Sequence, residues 1–337
     1  MRIDRALELV NNFDKQILVI GDVMLDKFVY GYVHRFSPEF PSCVVLDHFQ
    51  EDLMLGGAGN SAANLIALGA KCVRLCGLVG YDTEGQKLRW MLQNEYSGID
   101  DQLQKTKRPT TVKTRFVSQD GNHLLRYDKE DITPSNGLEQ KLMLEKVKDM
   151  IRIVSAVIVE DYDKGSITRD SIRSIMNMAN LKGIPVFVDP KSSHWEHFRG
   201  AEVITPNVAE AYGALGRKPP REGEISVEYS VEEVGKTLLK YTRANAVIIT
   251  RGKDGMSLFD GDGSRAWALP EPTTVVDVSG AGDTAMAALT LARVAGASWL
   301  ESMELANIAA GISVSKRGTA TVNVEELLLK IRRNENE

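Results

Sequence analysis

Cysteine is scarce: three residues among 337, at positions 43, 72 and 76. Cys72 and Cys76 fall on the strand-like run Lys71 to Val79, where four residues span roughly 13 Å at about 3.3 Å per residue, beyond the reach of a disulfide. No histidine lies near enough in sequence to complete a metal set. Both are therefore read as core thiols, and Cys43 as a free thiol. A disulfide-stapled fold is excluded. Long apolar runs are also missing, since none approaches the roughly 18 residues that a membrane span needs. Met1 to Val10 is charged and helical in pattern, without the apolar core of a signal peptide. A protein of the cytoplasm with no membrane partner is expected. Basic excess is absent too, with 41 Lys and Arg against 46 Asp and Glu and a net charge of -5. Without a basic stripe there is no footprint for nucleic acid. His194 and His197 could share a helix face, but no third ligand accompanies them, so no metal centre is expected there.

What is present is an α/β rhythm. A length of 337 residues allows one large domain with an appendage, or two domains. Gln16 to Val23 is a continuous apolar run ending in Gly21-Asp22, the pattern of a strand buried on both faces. Ala156 to Val159 ends in Glu160-Asp161-Tyr162-Asp163-Lys164-Gly165. Ile184 to Val188 leads to Asp189-Pro190-Lys191. Ala201 to Ile204 precedes Thr205-Pro206-Asn207-Val208-Ala209-Glu210. Ala246 to Ile249 ends in Thr250-Arg251-Gly252-Lys253-Asp254-Gly255. Ligands in open α/β sheets bind beyond the carboxyl ends of strands, so repeated polar clusters at those ends describe one composite site. Asp22 and Asp26 fall at such an end. The run Gly216 to Glu224 breaks the rhythm as a surface loop.

Two stretches have a different texture. Residues from about 29 to 55 and from about 108 to 130 alternate in the manner of half-buried strands, and Gln119-Asp120-Gly121-Asn122 supplies a hairpin turn. They predict a small antiparallel sheet inserted between the α/β units, placed as a lid over the site. Between them, Gly56-Gly57-Ala58-Gly59-Asn60 opens a helix with Asn60 and Asn64 on one face, where paired donors and acceptors suit vicinal hydroxyls.

The stretch with the most chemistry is Val276-Asp277-Val278-Ser279-Gly280-Ala281-Gly282-Asp283-Thr284. A β-branched run from Thr273 enters a glycine turn, and a small-residue helix starts at Ala281. Unpaired amides and the helix dipole make such a turn an anion site. A carboxylate at Asp283 would hinder anion holding alone, which points to proton abstraction beside a phosphate. The spelling Gly280-x-Gly282-x-x-Ala285 also fits a dinucleotide fingerprint. That motif belongs in the first strand-to-helix turn with an acidic residue about 20 residues later; here it lies near the end of the chain, before a second helix at Ser298 to Ser315.

Gly56-Gly57-…-Asn60, Asn207-…-Glu210, Thr250-Arg-Gly and Asp277-…-Gly280-Ala-Gly-Asp283 resemble the ribokinase-like (PfkB) carbohydrate kinase family from about Gln16 to Glu326. Within it, Gly21-Asp22-Val23-Met24-Leu25-Asp26, Arg35-Phe-Ser37-Pro38-Glu39-Phe-Pro41, Arg126-Tyr-Asp128 and Asp161-Tyr162-Asp-Lys164-Gly165 resemble the kinase part of the D-glycero-D-manno-heptose 7-phosphate kinases of lipopolysaccharide-core synthesis, in stand-alone form. Gly59, Phe36 and Ser42-Cys43 depart from that subgroup's usual residues. The resemblance implies a three-layer α/β/α sandwich with a mostly parallel central sheet and a small antiparallel β lid. Residues 1–330 would form the kinase domain and 331–337 a charged tail.

It further implies ATP-dependent phosphorylation of a sugar phosphate at the 1-hydroxyl, giving the 1,7-bisphosphate precursor of ADP-heptose. Asp283 would be the base, with Gly280, Ala281 and Gly282 forming the anion hole. Asn207 and Glu210 would position hydrated Mg²⁺. Lys191, Thr250, Arg251, Gly252, Gly255, Asn307 and Gly311 would border the nucleotide, and Asp277 and Ser279 a monovalent cation such as K⁺. Asp22, Asp26, Gly56, Gly57, Asn60 and Asn64 would grip sugar hydroxyls. Lys113, Arg115, Arg126 and Lys164 are the cations available for the sugar's own phosphate, and a homodimer through the lid is expected. The competing readings are a kinase for another sugar or a nucleoside, a non-catalytic sugar-binding regulator, and a nicotinamide dehydrogenase.

Overall fold

Short apolar runs bounded by polar turns become strands whose two faces are both covered. In β1 (Gln16–Gly21), Ile17 and Val19 enter one core while Leu18 and Ile20 enter the other, and all four are fully buried. The computed structural model describes residues 1–191, 194–219, 230–261, 265–268 and 274–336. Thr273 and residues 220–224 of the expected loop lie outside the described residues.

Around β1 the first half of the chain runs α1 (Ile3–Val10), β2 (Val23–Phe36), β3 (Val44–Gly57), α2 (Ala58–Ala67), β4 (Cys72–Gly80), α3 (Thr83–Asn94), β5 (Ile99–Asp101), β6 (Gln104–Thr106), β7 (Thr111–Ser118) and β8 (His123–Lys129). The second half runs α4 (Gly137–Met150), β9 (Ala156–Asp161), α5 (Arg169–Lys182), β10 (Val186–Pro190), β11 (Val203–Ile204), α6 (Val208–Ala214), α7 (Val231–Thr242), β12 (Ala246–Thr250), β13 (Met256–Asp260), β14 (Arg265–Ala268), α8 (Ala281–Val294), α9 (Trp299–Ser313) and α10 (Val324–Asn336).

The large sheet has the order β14-β13-β12-β11-β10-β9-β1-β4-β5, with β6 added to β4. Pairings from β12 through β5 are parallel, and β13 and β14 close one edge antiparallel. Buried residues of α1, α2, α3, α8, α9 and α10 cover one face, and those of α4 to α7 cover the other. This is the three-layer sandwich that the family resemblance implied. The parallel register brings the carboxyl ends of β1, β9, β10, β11 and β12 to one edge, where the polar clusters collect.

On α8, Ala285, Ala287 and Ala288 are buried, and their small side chains let α2 pack directly alongside. That close approach brings Asn60 of α2 to Asp283 of α8.

The smaller sheet has the order β3-β2-β7-β8. The β2–β3 and β7–β8 pairings are antiparallel, while β2 and β7 run parallel. The reason is connectivity: β1 continues into β2 and β6 leads into β7, so both leave the large sheet in the same direction. Phe28, Tyr30 and Val117 pack on its inner side with Met54. Tyr32, Phe36, Phe40, Phe49, Leu125 and Tyr127 are exposed.

Residues 331–336 of the expected charged tail form the end of α10. Leu327 and Ile331 are buried, and the Ile3 amide donates to Glu335 at 3.1 Å, tying both ends of the chain together.

Candidate active site

A cavity of about 310 Å³ lies between the carboxyl edge of the large sheet, the start of α8 and the inner side of the lid. Its floor begins with Gly280, the residue before α8, whose φ of 77° is left-handed. A Cβ there would come within 2.4 Å of the Asn60 side-chain nitrogen, so both the turn and the close α2 contact require glycine. The first amides of α8 have no acceptor inside the helix, and the Ala281 amide makes only a long 3.4 Å bond to the Val278 carbonyl. At Gly282 an added Cβ would meet no protein atom within 4 Å. That glycine faces the cavity, so a ligand has more need of its bareness than the fold has.

Asp283 is buried at 2% exposure and has a defined donor on each oxygen. Asn60 Nδ2 donates to Oδ2 at 2.8 Å, and the Tyr162 hydroxyl donates to Oδ1. Burial pushes its pKa up to about 6, opposed by Lys191 and by these two hydrogen bonds. Beside it stand Glu160 at the end of β9 and Asp189 at the end of β10, with carboxylate oxygens of all three within 4.8 Å of one another. Glu160 is raised well above the usual carboxylate range, first by burial and then by Asp189 and Asp283. One Glu160 oxygen accepts from Ser61 at 2.5 Å, and the other is buried with no partner. Lys191 answers this negative charge: burial lowers its pKa, but Asp189, Asp283, Glu210 and Glu160 raise it further. Three crowded carboxylates, an orphaned buried oxygen and one lysine form a donor set suited to a hard divalent cation or to a phosphate–cation pair.

On the nucleotide side, Asn207 and Glu210 cap α6 reciprocally. Asn207 Oδ1 accepts the Glu210 amide at 2.9 Å, and Glu210 Oε2 accepts the Asn207 amide at 2.7 Å. Both line the cavity, as do Thr205 and Thr250. Burial first, and Asp189 second, raise the Glu210 pKa to about 7. Ile248, Met256, Leu289 and Ala306 provide an apolar wall beyond them. Arg251, Gly252, Gly255, Asn307 and Gly311 are near this side in sequence but do not line the cavity. Arg251 reaches Ser257 at 3.3 Å, Gly252 and Gly255 bracket a short helical turn after β12, and Asn307 is buried on α9 with Gly311 one turn further on.

On the lid side, Asp26 and Arg115 form a part-buried pair at 2.5 Å, and both line the cavity with Gly57 and Lys113. Lys113 is pulled down by burial, and Arg126 and Lys191 add repulsion. Arg126 is bound at both ends of its guanidinium by Asp128 and lies outside the cavity lining. Lys164 pairs with Glu130 at 2.8 Å, also off the wall.

Two expected sugar ligands turn inward. Asp22 Oδ2 accepts the Tyr162 and Lys164 amides at 2.9 and 3.0 Å, and Oδ1 accepts the Ser166 amide at 3.0 Å. Asp22 therefore holds the turn after β9 from beneath. Asn64 donates to Asn60 and accepts the Val322 amide, a load that locks α2 to the chain before α10. Gly56 stays off the wall at the end of β3, where a Cβ would come within 2.4 Å of the Asp26 carboxylate. Asp277 accepts the Ser279 amide at 2.9 Å and the Gly318 amide at 3.1 Å, anchoring the approach to α8.

Sequence reading placed Glu160, Asp189 and Tyr162 in the strand-end clusters but gave none of them a role. Glu160 and Asp189 were visible as strand-end carboxylates, and their places beside one another in a parallel register were the available signal. Tyr162 gave no such signal, because its partners come from three distant elements.

The model of the pfkB family carbohydrate kinases matches residues 14–326. A bifunctional protein HldE from Bradyrhizobium diazoefficiens is 38% identical over 318 residues, covering 94% of this chain and 63% of that protein. Another, from Caulobacter sp. strain K31, is 41% identical over 313 residues, covering 93% and 62%. The chain thus spans under two thirds of the length of these curated relatives. The structure of phosphofructokinase-2 from Escherichia coli in complex with substrates and products superimposes with a TM-score of 0.78 at 17% identity, covering 95% of this chain and 99% of that one. Ribokinase from Arabidopsis thaliana complexed with ribose and ATP gives 0.69 at 18% identity, covering 94% and 99%. At those identities the structural likeness shows the fold.

Proposed function

This chain belongs to the pfkB family of carbohydrate kinases and is an ATP-dependent sugar kinase, and on that footing we propose that its acceptor is a sugar already carrying a phosphate, D-glycero-D-manno-heptose 7-phosphate, phosphorylated at the 1-hydroxyl. The observation that carries this reading is a second cationic group on the lid side, separate from Lys191. Lys113 and Arg115 line the cavity, and Arg126 lies close enough to repel Lys113. An arriving phosphate relieves that repulsion, and Arg offers it paired donors. The likeness to the HldE proteins along 94% of the chain supports the same substrate class.

In this account Asp283 takes the proton of the attacking hydroxyl as the new P–O bond forms and the bond to ADP breaks. The amides at the start of α8 hold the transferred phosphoryl oxygens. Asp26 and Gly57 orient the sugar, and Asn60 holds Asp283 in place beside it. Asn207, Glu210, Asp189 and Glu160 would hold Mg²⁺, directly or through its waters, and the bound ion would supply charge neutralisation at the phosphates. Lys191 and Thr250 meet the nucleotide phosphates, with Arg251, Gly252, Gly255, Asn307 and Gly311 framing that side. Asp277 and Ser279 border a monovalent cation. A second copy of the chain covers the exposed aromatic face of the lid.

Turnover of ATP against a panel of sugars and sugar phosphates, with both anomers of the heptose 7-phosphate, tests the substrate. The expected result is a kcat/KM for one heptose 7-phosphate anomer well above that for every unphosphorylated sugar. Equal use of an unphosphorylated sugar or a nucleoside would overturn it.

A further inference from the structure

Tyr162 touches the three working parts of the cavity at once. Its hydroxyl donates to Asp283 Oδ1, Lys191 Nζ lies 3.5 Å from its ring centroid, and Lys113 Nζ lies 5.0 Å from it. These are the proposed base, a nucleotide-phosphate cation and a sugar-phosphate cation. No other aromatic ring lines the cavity among the described residues.

The two donors on Asp283 differ in how freely they can leave. Asn60 is fully buried on α2, packed against Gly280, and its own Oδ1 accepts from Asn64. Tyr162 is half-buried and faces the cavity. Its backbone is fixed, because Asp22 holds the amides of Tyr162, Lys164 and Ser166. Only the side-chain torsions remain to move. Its ring is flanked by two lysines whose cations are drawn toward phosphates when substrates arrive, which loosens the stacking.

An acceptor hydroxyl that gives its proton to Asp283 must first hydrogen-bond to that carboxylate. Oδ2 faces the immobile Asn60, so Oδ1 is the oxygen to be taken, and the phenol stands there. We propose that Tyr162 is a positioning residue that occupies Asp283 until the acceptor hydroxyl replaces its own, so that ATP cleavage waits for the sugar. This rests on Asp283 being the base. With the phenol in place, water is denied the same position. When water does reach it, Asp283 takes the water proton, a P–O bond forms to the water oxygen, the bond to ADP breaks, and ADP and inorganic phosphate result.

The test compares sugar-independent ATP hydrolysis with phosphoryl transfer in the wild type, Tyr162→Phe, Asp283→Asn and the double variant. Phenylalanine keeps the ring between the lysines and removes one oxygen, so the fold and ATP binding are expected to hold. A hydrogen bond to a carboxylate is worth about tenfold. Tyr162→Phe is therefore expected to raise the ratio of hydrolysis to transfer by about tenfold and to lower KM for the acceptor, and the double variant loses that gain. An unchanged or lower ratio in Tyr162→Phe overturns the proposal. A gain that survives in the double variant overturns it as well, because the effect would then bypass Asp283. Near wild-type transfer by Asp283→Asn alone removes the base and this proposal with it. An inactive Asp283→Asn beside an unchanged Tyr162→Phe ratio removes only the role of Tyr162.

Discussion

The floor of the cavity and its lid handle charge in opposite ways. On the lid and its hinges most charges around the cavity are matched one to one or nearly so: Asp26 with Arg115, Lys27 with Glu51, Arg126 with Asp128, Lys129 with Asp82 and Glu84, Lys164 with Glu130. On the floor, Glu160, Asp189, Asp283 and Glu210 share Lys191 among them, under burial deep enough to raise the pKa values of Glu160, Glu210 and Asp283. A paired lid is stable and selective, since an anion must offer more than the partner it displaces. A floor with one lysine among four carboxylates is strained electrostatically and ready for cations. Chemistry belongs to the strained side, and recognition to the balanced one.

The sharpest way to break this contrast is to remove the base. Asp283→Asn is expected to lower kcat for transfer by a factor on the order of 10²–10⁴, measured under saturating substrates. Gly282→Ala comes next. Because a Cβ there meets no protein atom within 4 Å, thermal stability should stay within about 0.5 kcal/mol of wild type. Activity should fall by roughly 10²–10³ as the methyl fills the phosphoryl position. Retained activity would mean that the turn does not cradle the phosphoryl group.

On the lid side the effects are smaller and should appear in KM. Lys113→Ala is expected to raise KM for a phosphorylated sugar by roughly tenfold or more, well beyond its effect on an unphosphorylated one. Arg126→Ala, whose guanidinium is already held by Asp128, should do the same to a lesser extent. Reversed ranks would place the sugar's phosphate further out on the lid. The smallest expected effect is on stability. Asp283 has its folded pKa raised to about 6, so its contribution is fully present below the unfolded value near 4 and is lost as pH rises through 6. Asp283→Asn should therefore stabilise the protein above that window by roughly 1–3 kcal/mol, and by little below pH about 4, as read from denaturant midpoints.

Legibility from sequence divides along the same line. The floor was readable because period and spacing determine it. Apolar runs gave β1, β9, β10 and β12, and a parallel sheet carries their polar ends to one edge. The glycine turn before Asp283 is likewise local. The lid's strands were readable by alternation, but its pairings were not. Whether Arg126 faces a substrate or Asp128 depends on a two-residue spacing that suits either outcome. Asp22 looked like a ligand because it follows a strand, and only the fold reveals the three amides of the 162–166 turn above it. The ring of Tyr162 between two lysines required β7, β9 and β10 to be assembled first.

The pH dependence of kcat/KM tests most directly whether the buried, strained Asp283 is the working base. The base must be ionised, and burial has raised it to about 6, so activity should fall as pH drops through that value. A wild-type profile that stays flat down to pH about 4.5, as an unperturbed aspartate would allow, would contradict the account.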